Sequence, residues 1–226
     1  MRLFATILIF TGAMGAVQEL EDARDRQDRA ALEKQIARLR SSAEKQPSNA
    51  AAQYRLALAQ SYLSEVALEL RDRNQAKTSA EAGMDAAKRA VELKPDNADN
   101  HRILGTLCGQ VIPANVLAGL RYGRCALDSI KKAIEIDPES STAWLSRGVG
   151  NYYLPESFGG GVNLAITDFQ KSIQLNPQSA DAYLWLGIAL RKAGRNSQAR
   201  AALARSVELN PRRIWTKQQL DKTPAQ

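Results

Sequence analysis

One stretch decides the fold of this chain: ADAYLWLGIALRKAGRNSQARAALARSVELNP, residues 180–211. Small residues, Gly187, Ala199 and Ser206, stand where two helices must approach closely, and large apolar residues fill the spaces between helices. Pro211 follows the second helix, because proline fails inside a helix and suits the first turn of the next one. The stretch therefore predicts a pair of packed helices.

The ending of this stretch recurs through the chain. Five segments share it: LRSSAEKQPSN, AKRAVELKPDN, IKKAIEIDPES, FQKSIQLNPQS and LARSVELNPRR, with prolines at 47, 95, 138, 177 and 211. The spacings between these prolines are 48, 43, 39 and 34 residues. A shared ending that recurs along the chain is the signature of a repeat architecture. Alanine is abundant and β-branched runs are scarce, which favours an all-α class.

The last unit resembles the tetratricopeptide repeat (TPR) family, whose repeat is 34 residues long. The positions that carry the resemblance are, in the family's order, Tyr183, Leu186, Gly187, Leu190, Ala199, Leu203, Ser206 and Pro211. The resemblance implies an all-α, right-handed helix-turn-helix solenoid of four repeats over residues 47–211, with units ending at Pro95, Pro138, Pro177 and Pro211. Relative to 34 residues, the first three units carry about 14, 9 and 5 extra, which we expect between their two helices.

Residues 1–16 have the pattern of a secretory signal peptide. Arg2 precedes an apolar run from Leu3 to Phe10, and small residues follow near Gly15. An uncleaved anchor or a buried first helix are the alternatives. A cleaved signal predicts an exported protein, periplasmic or secreted, and no later segment is apolar enough to span a bilayer.

Each repeat buries its apolar face only against its neighbours, so the two ends of the array need capping helices that cover their exposed apolar faces. Residues 17–46 are predicted to form one amphipathic helix, with Leu32, Ile36 and Leu39 on its apolar face. Residues 212–226 are predicted to form a capping helix and tail, with Trp215 covering the open end. From residue 191 onward the net charge is +7, equal to that of the whole chain. This basic end is either a solvated cap or a contact for an anionic surface.

Catalytic, metal and cofactor chemistry find no support. His101 is the only histidine and sits at a packing position, and Glu65 and Glu69 have helical spacing that favours solvated carboxylates. The glycine loop LPESFGGGVN, residues 154–163, lacks the spacing of a phosphate-binding loop and has no strand before it. We interpret it as a bulged turn between helices, with a mobile lip over a ligand groove as the alternative. It also resembles a loop in the periplasmic TPR component that accompanies TRAP-type transporters.

The two cysteines, Cys108 and Cys125, fall on the two helices of the second unit. Antiparallel helices could bring them together, and an exported protein permits a disulfide. Two reduced, buried thiols are the alternative.

The resemblance also implies a binding face, because the first helix of each TPR unit lines a concave groove. Its candidate residues are Tyr54, Leu58, Tyr62, Arg102, Thr106, Gln110, Leu145, Val149, Tyr152, Tyr153, Leu184, Ile188, Arg191 and Lys192. They form an apolar, tyrosine-rich surface with cations at one end, although the N-terminal helix could cover some of them. No asparagine stands among them, which argues against the carboxylate clamp of chaperone-binding relatives.

These features predict an exported, non-catalytic scaffold without cofactors or nucleic acid. Its partner would be a protein or peptide laid against the groove. The alternative is a periplasmic transport accessory that holds an apolar small molecule in the same groove. The sequence names neither the partner nor the ligand.

Overall fold

A computed structural model describes residues 15, 17–114 and 116–225, with side chains throughout except at 114, 116 and 117. The predicted signal segment lies almost entirely outside these residues. The described residues are helices joined by turns, without a strand. The helices are α1 (residues 17–25), α2 (Arg29–Lys45), α3 (Ala50–Glu69), α4 (Arg73–Leu93), α5 (Ala98–Val111), α6 (Val116–Ile136), α7 (Ser141–Tyr153), α8 (Val162–Leu175), α9 (Ala180–Lys192), α10 (Asn196–Leu209) and α11 (Ile214–Asp221).

The helices pair as the repeats predict. Within units, α3 packs on α4, α5 on α6, α7 on α8 and α9 on α10, while α3, α5, α7 and α9 contact one another in succession. This arrangement is a TPR-like solenoid in which the first helices of the units form one layer. The expected all-α repeat fold is confirmed.

Each unit begins with the same local signal. A polar residue two positions after the proline accepts a hydrogen bond from a backbone N–H of the helix's first turn, which satisfies one of the four amides a helix start leaves unpaired. These capping residues are Asn49, Asn97, Ser140 and Ser179. The proline turn and the cap together explain why every first helix starts at the equivalent position.

Glycines set how closely the two helices of a unit pack. A Cβ added at Gly148 would lie 2.5 Å from the Phe169 ring, and one at Gly187 would lie 2.5 Å from Leu203. Gly105 has the same relation to Ile130, at 2.8 Å. The helices therefore touch where the first helix has no side chain.

The extra residues of the first three units take different forms. In the first unit they lengthen the helices themselves, since α3 has 20 residues, α4 has 21 and only a short turn joins them. In the second unit a 3-10 turn, Ile112–Ala114, precedes a 21-residue α6. In the third unit they form the glycine loop.

The glycine loop is folded on itself. A 3-10 turn, Glu156–Phe158, occupies its centre, and Gly159 and Gly161 have φ of 83° and 114°, values that favour glycine. The Gly161 N–H donates to the Asn151 carbonyl over 2.9 Å, which ties the end of the loop to α7. The arrangement corresponds to a bulged turn between two helices.

Residues 17–46 form two helices where the sequence analysis predicts one, so that expectation is wrong. The chain turns at Arg26 and Gln27, where Gln27 has a left-handed φ of 54°. Asp28 then caps α2 by accepting a hydrogen bond from the Ala31 N–H at 3.0 Å. The break lets α1 fold back along α2, and the Gln35 amide reaches the Glu19 carboxylate.

Candidate partner-binding face

The fourteen candidate groove residues all lie on the first helices of the four units, as the resemblance implies. Their exposure differs widely. Leu58, Leu184 and Ile188 are buried in the core, whereas Tyr153 and Lys192 are exposed. The other nine are partly buried. Only part of the expected groove is therefore open to a partner in this structure.

Helix α1 covers one side of this face. Leu20 and Ala23 are buried and belong to the same apolar cluster as Leu58, with Tyr54 and Tyr62 packed against it. This is the alternative that the sequence left open, in which the N-terminal segment occupies part of the groove.

Arg24 fixes α1 to both ends of the array. Its guanidinium lies 4.9 Å from the centre of the Tyr62 ring on α3 and bonds the Asp181 carboxylate on α9 at 2.9 Å. Burial raises the pKa of the Tyr62 hydroxyl, so the ring stays neutral beside the cation. A single side chain therefore connects the first unit to the last one.

A second arginine completes this connection. Arg213, at the start of α11, is 1% exposed and donates to the Glu65 carboxylate at 2.8 Å, to Glu69 and to the Arg24 carbonyl. We call this largely buried charged cluster the clasp, and it consists of Arg24, Asp25, Glu65, Glu69, Asp181 and Arg213. The clasp joins α1, α3, α9 and α11, so it brings the two ends of the repeat array into contact.

The clasp contains four carboxyl groups and two guanidinium groups. Burial raises the pKa of Glu69 to about 7, against the opposing pull of Arg213. Burial acts on Asp181 in the same direction, but Arg24 and Arg213 outweigh it and hold the pKa of that carboxyl below its usual range. The two arginines therefore favour the ionised form of Asp181, whereas burial favours the protonated form of Glu69.

The expectation that Glu65 and Glu69 are solvated is wrong. Both carboxylates bond Arg213, a residue 144 or more positions away in sequence, which no helical spacing could reveal. A signal for Arg213 was nevertheless present. It occupies the position that is Asn or Ser after the four earlier prolines, and its side chain caps no amide.

The partly open side of the face is an aromatic and aliphatic wall on α7 and α9. The Tyr152 ring lies 5.9 Å from the Trp185 ring, and Trp185 lies 5.3 Å from Trp215 on α11. Leu145 and Val149 are also partly buried. Together with Tyr152 and Trp185, they pack against an apolar cluster that includes Phe169. Edge-to-face ring contacts of this kind hold the wall rigid.

The three candidate cations have different surroundings. Arg102 is bound to Asp99 and to the Tyr54 hydroxyl. Arg191 donates to the Gln219 side chain at 2.7 Å and so attaches α11 to α9. Lys192 remains exposed and lies 4.3 Å from the centre of the Tyr152 ring. Lys192 is thus the accessible cation beside the wall.

His101 makes a hydrogen bond to the backbone, and the equivalent residue of the next unit makes the same kind of bond. Its Nε2–H donates to the Pro95 carbonyl over 2.8 Å, and the equivalent Trp144 donates its indole N–H to the Pro138 carbonyl over the same distance. Both side chains stabilise the turn before their helix. No cluster of metal-ligating side chains is found among the described residues.

Cys108 and Cys125 form a disulfide that connects α5 to α6. The bond spans the 3-10 turn and the start of α6, where the second unit departs from the standard repeat length. Cys108 is buried in the apolar cluster that also contains Leu58, and Cys125 packs against that cluster.

A surface depression of about 500 Å³ lies over the turn between α2 and α3, lined by Gln46, Pro47 and Ala51 among others. None of the candidate groove residues contributes to it. Among the described helices, none combines the length and the apolar character needed to cross a bilayer.

The comparisons with known proteins agree with this architecture. The family described as "Regulator of microtubule dynamics protein 1-3" matches residues 16–156, and a tetratricopeptide repeat family matches residues 162–219. None of the curated proteins matches the chain.

Solved structures resemble the fold at low sequence identity. A thermophilic TPR protein of Thermus thermophilus is 18% identical, with a TM-score of 0.64 over 85% of this chain and 90% of that one. YrrB, a TPR protein described as having an unusual peptide-binding site, is 18% identical, with a TM-score of 0.44 over 83% of this chain and 82% of its own. MamA of Desulfovibrio magneticus is 14% identical, with a TM-score of 0.46 over 89% and 97%.

The first of the two family matches spans more than half of the chain, and the second covers most of the helices that follow it. The chain belongs to the family of the regulator of microtubule dynamics proteins 1-3, and its C-terminal helices are a tetratricopeptide repeat.

Proposed function

We propose that this protein is an exported scaffold that binds a partner protein through the open part of its concave face. The observation that carries the proposal is the wall on α7, where Leu145, Val149 and Tyr152 stay partly exposed. The hydrogen bonds and ion pairs described for α1 reach other parts of the fold, namely α2, α9 and the turn before α11. A rigid apolar surface of this kind binds without the cost of ordering loops.

The wall favours a partner helix or extended segment with apolar side chains. These side chains would lie against Val149 and Tyr152, and Lys192 would meet an acidic group at the edge of the contact. Export rests on the signal pattern of residues 1–16. The alternative is an apolar small molecule held at the same face.

The test is a substitution in the middle of the wall. Val149→Glu places a charge in the proposed contact, and we expect it to abolish capture of the partner from the protein's own cell-envelope extract. The matched control is Gln170→Glu on α8, the second helix of the same unit, at an exposed position outside the wall. Thermal unfolding of both variants shows that the fold is intact.

Two results would contradict the proposal. Either the folded Val149→Glu variant captures the same partner as the wild type, or the control loses the partner equally. The family description names the regulation of microtubule dynamics, which suggests a cytoskeletal partner as the alternative to one of the cell envelope. Co-sedimentation with polymerised tubulin tests that partner directly, with the same two variants.

A further inference from the structure

The turns between the helices of each unit all lie at one edge of the molecule. The first helices contact one another in succession and run in the same direction, because an antiparallel helix follows each of them. Contacts between neighbouring turns agree: Gln27 bonds Glu69, Arg29 pairs with Asp72, and Lys192 bonds the Tyr152 carbonyl. We call this surface the loop edge, and it comprises residues 26–28, 70–73, 112–113, 118–121, 153–164 and 192–196.

Large apolar side chains are concentrated at the loop edge. Leu120 is 82% exposed, Phe158 is 75% exposed and Tyr153 is 63% exposed, and Leu70 and Leu164 are exposed as well. Of the other two exposed large apolar side chains in the described residues, Leu127 lies further along α6 and Ile214 lies at the opposite edge. Such a concentration on a folded surface marks a contact with another phase or molecule.

Basic side chains accompany these apolar ones. Six exposed basic residues lie on the loop edge: Arg26, Arg71, Arg73, Arg121, Lys192 and Arg195. Three acidic residues lie there as well. Two of the three acids, Asp28 and Asp72, accept hydrogen bonds from backbone amides of α2 and α4. The loop edge is therefore net positive.

The opposite edge differs in both respects. Its turns, residues 45–49, 94–99, 137–140, 176–179 and 210–213, contain prolines and helix caps, and the exposed large apolar side chain beside them is Ile214, at 37%. Their charges balance, and one of the cations there, Arg213, is buried in the clasp. The molecule is thus polarised between a basic, apolar edge and a neutral, polar one.

We propose that the loop edge docks on the surface of an anionic bilayer. Exposed leucine and aromatic side chains enter the boundary between headgroups and acyl chains, and the surrounding Lys and Arg meet the anionic headgroups. A protein partner is less well matched, because the apolar side chains project from separate turns, whereas the centre of a protein interface is usually one closely packed patch. The loop edge shares Lys192 with the proposed partner contact, but Leu145 and Val149 lie outside it, so the two proposals are tested by different substitutions.

The experiment is flotation of the full chain with vesicles of phosphatidylcholine, alone or with added phosphatidylglycerol. We expect binding to the anionic vesicles only, and its loss at about 1 M salt, where the screening length falls to about 3 Å. Phe158→Ser should weaken the binding about tenfold, which corresponds to loss of one inserted aromatic side chain. Arg121→Glu with Arg195→Glu should weaken it by at least a similar factor.

Matched controls come from the opposite edge. Ile214→Ser removes an exposed apolar side chain there, and Lys45→Glu with Lys94→Glu reverses two exposed charges. These variants should bind anionic vesicles within about twofold of the wild type, since surface charges beyond a screening length contribute little. All variants retain residues 1–16, so differences between them report the loop edge and not the apolar N-terminal run.

Three outcomes would overturn the proposal. They are equal binding to both kinds of vesicle, no binding to anionic vesicles, and equal weakening by the loop-edge and control variants. Val149→Glu should leave vesicle binding unchanged, which separates a failure here from a failure of the partner-binding proposal.

Discussion

Gly148 lies where α7 crosses α8, and its missing side chain leaves room for the Phe169 ring. Phe169 is completely buried and belongs to the apolar cluster under the wall. The site therefore determines both the spacing of the third unit and the support beneath Val149 and Tyr152. Two positions further along the helix, Gly150 faces open space, and a Cβ added there would have no atom within 4 Å.

Gly148→Ala should lower the free energy of unfolding by about 1–3 kcal/mol, because the added methyl group displaces a close-packed ring. Gly150→Ala is the matched control on the same helix. It should leave stability unchanged or raise it by up to about 1 kcal/mol, since alanine favours the helix over glycine. Urea unfolding followed by circular dichroism measures both, and equal effects of the two changes would show that the Phe169 contact is not close-packed.

Arg213 shows how one residue can depart from a repeated pattern and acquire a tertiary role. Its four counterparts cap helices, and α11 begins without such a side-chain cap. The Arg213 side chain instead enters the clasp, where Glu65 and Glu69 face it from α3. The departure was visible in the sequence, but its partners were not.

At the scale of elements, the second unit depends on the link between α5 and α6. The disulfide between Cys108 and Cys125 closes a segment that contains the 3-10 turn Ile112–Ala114. Close packing of Gly105 against Ile130 holds the same two helices together about one helical turn away from the disulfide. The extra residues lie on the other side of the disulfide, in the segment that it closes.

Replacing both cysteines by alanine should lower the free energy of unfolding by about 3 kcal/mol, the loop-closure contribution of a segment of this length. Reduction of the wild type should lower its stability by a similar amount, and the reductant should have no effect on the double variant. Chemical unfolding with and without reductant measures this. A wild type whose stability does not respond to reductant, with two thiols titrated in the unfolded protein, would contradict the bond.

At the scale of the whole molecule, the clasp makes the two ends of the array depend on each other. In an open solenoid each unit contacts only its neighbours. Here Arg24 and Arg213 connect α1 and α3 to α9 and α11. We expect the ends to unfold together rather than fray separately.

Arg213→Ala should lower the free energy of unfolding by about 3–5 kcal/mol, because it leaves buried carboxylates without a partner. Arg212→Ala is the control. Arg212 is next to Arg213 in the chain, but its side chain is 60% exposed and pairs with Asp22. That change should cost less than about 1 kcal/mol. Hydrogen exchange adds a spatial readout: only Arg213→Ala should raise exchange in both α1 and α11.

A folded Arg213→Ala variant whose hydrogen exchange rises in α11 alone would contradict the proposal that the clasp couples the two ends of the array. A stability equal to that of Arg212→Ala would also contradict it.

Much of the architecture can be read from the chain alone. The recurring proline endings, the small residues at 148 and 187 and the alternation of helices follow from local rules of helix termination and close packing, which act over a few residues. The all-α repeat fold was therefore predictable, as were the helices on which the candidate face lies. The break at Gln27 was missed, because the caps and turns at that point compete with a continuous amphipathic pattern.

What the sequence could not decide is which surfaces remain open and where the ends of the array lie. The placement of α1 against α9, the burial of Leu58, Leu184 and Ile188, and the meeting of Glu65 with Arg213 all depend on the curvature of the stacked units. That curvature accumulates from small rotations at each interface between units, so contacts between residues more than a hundred positions apart appear only once the whole array is assembled.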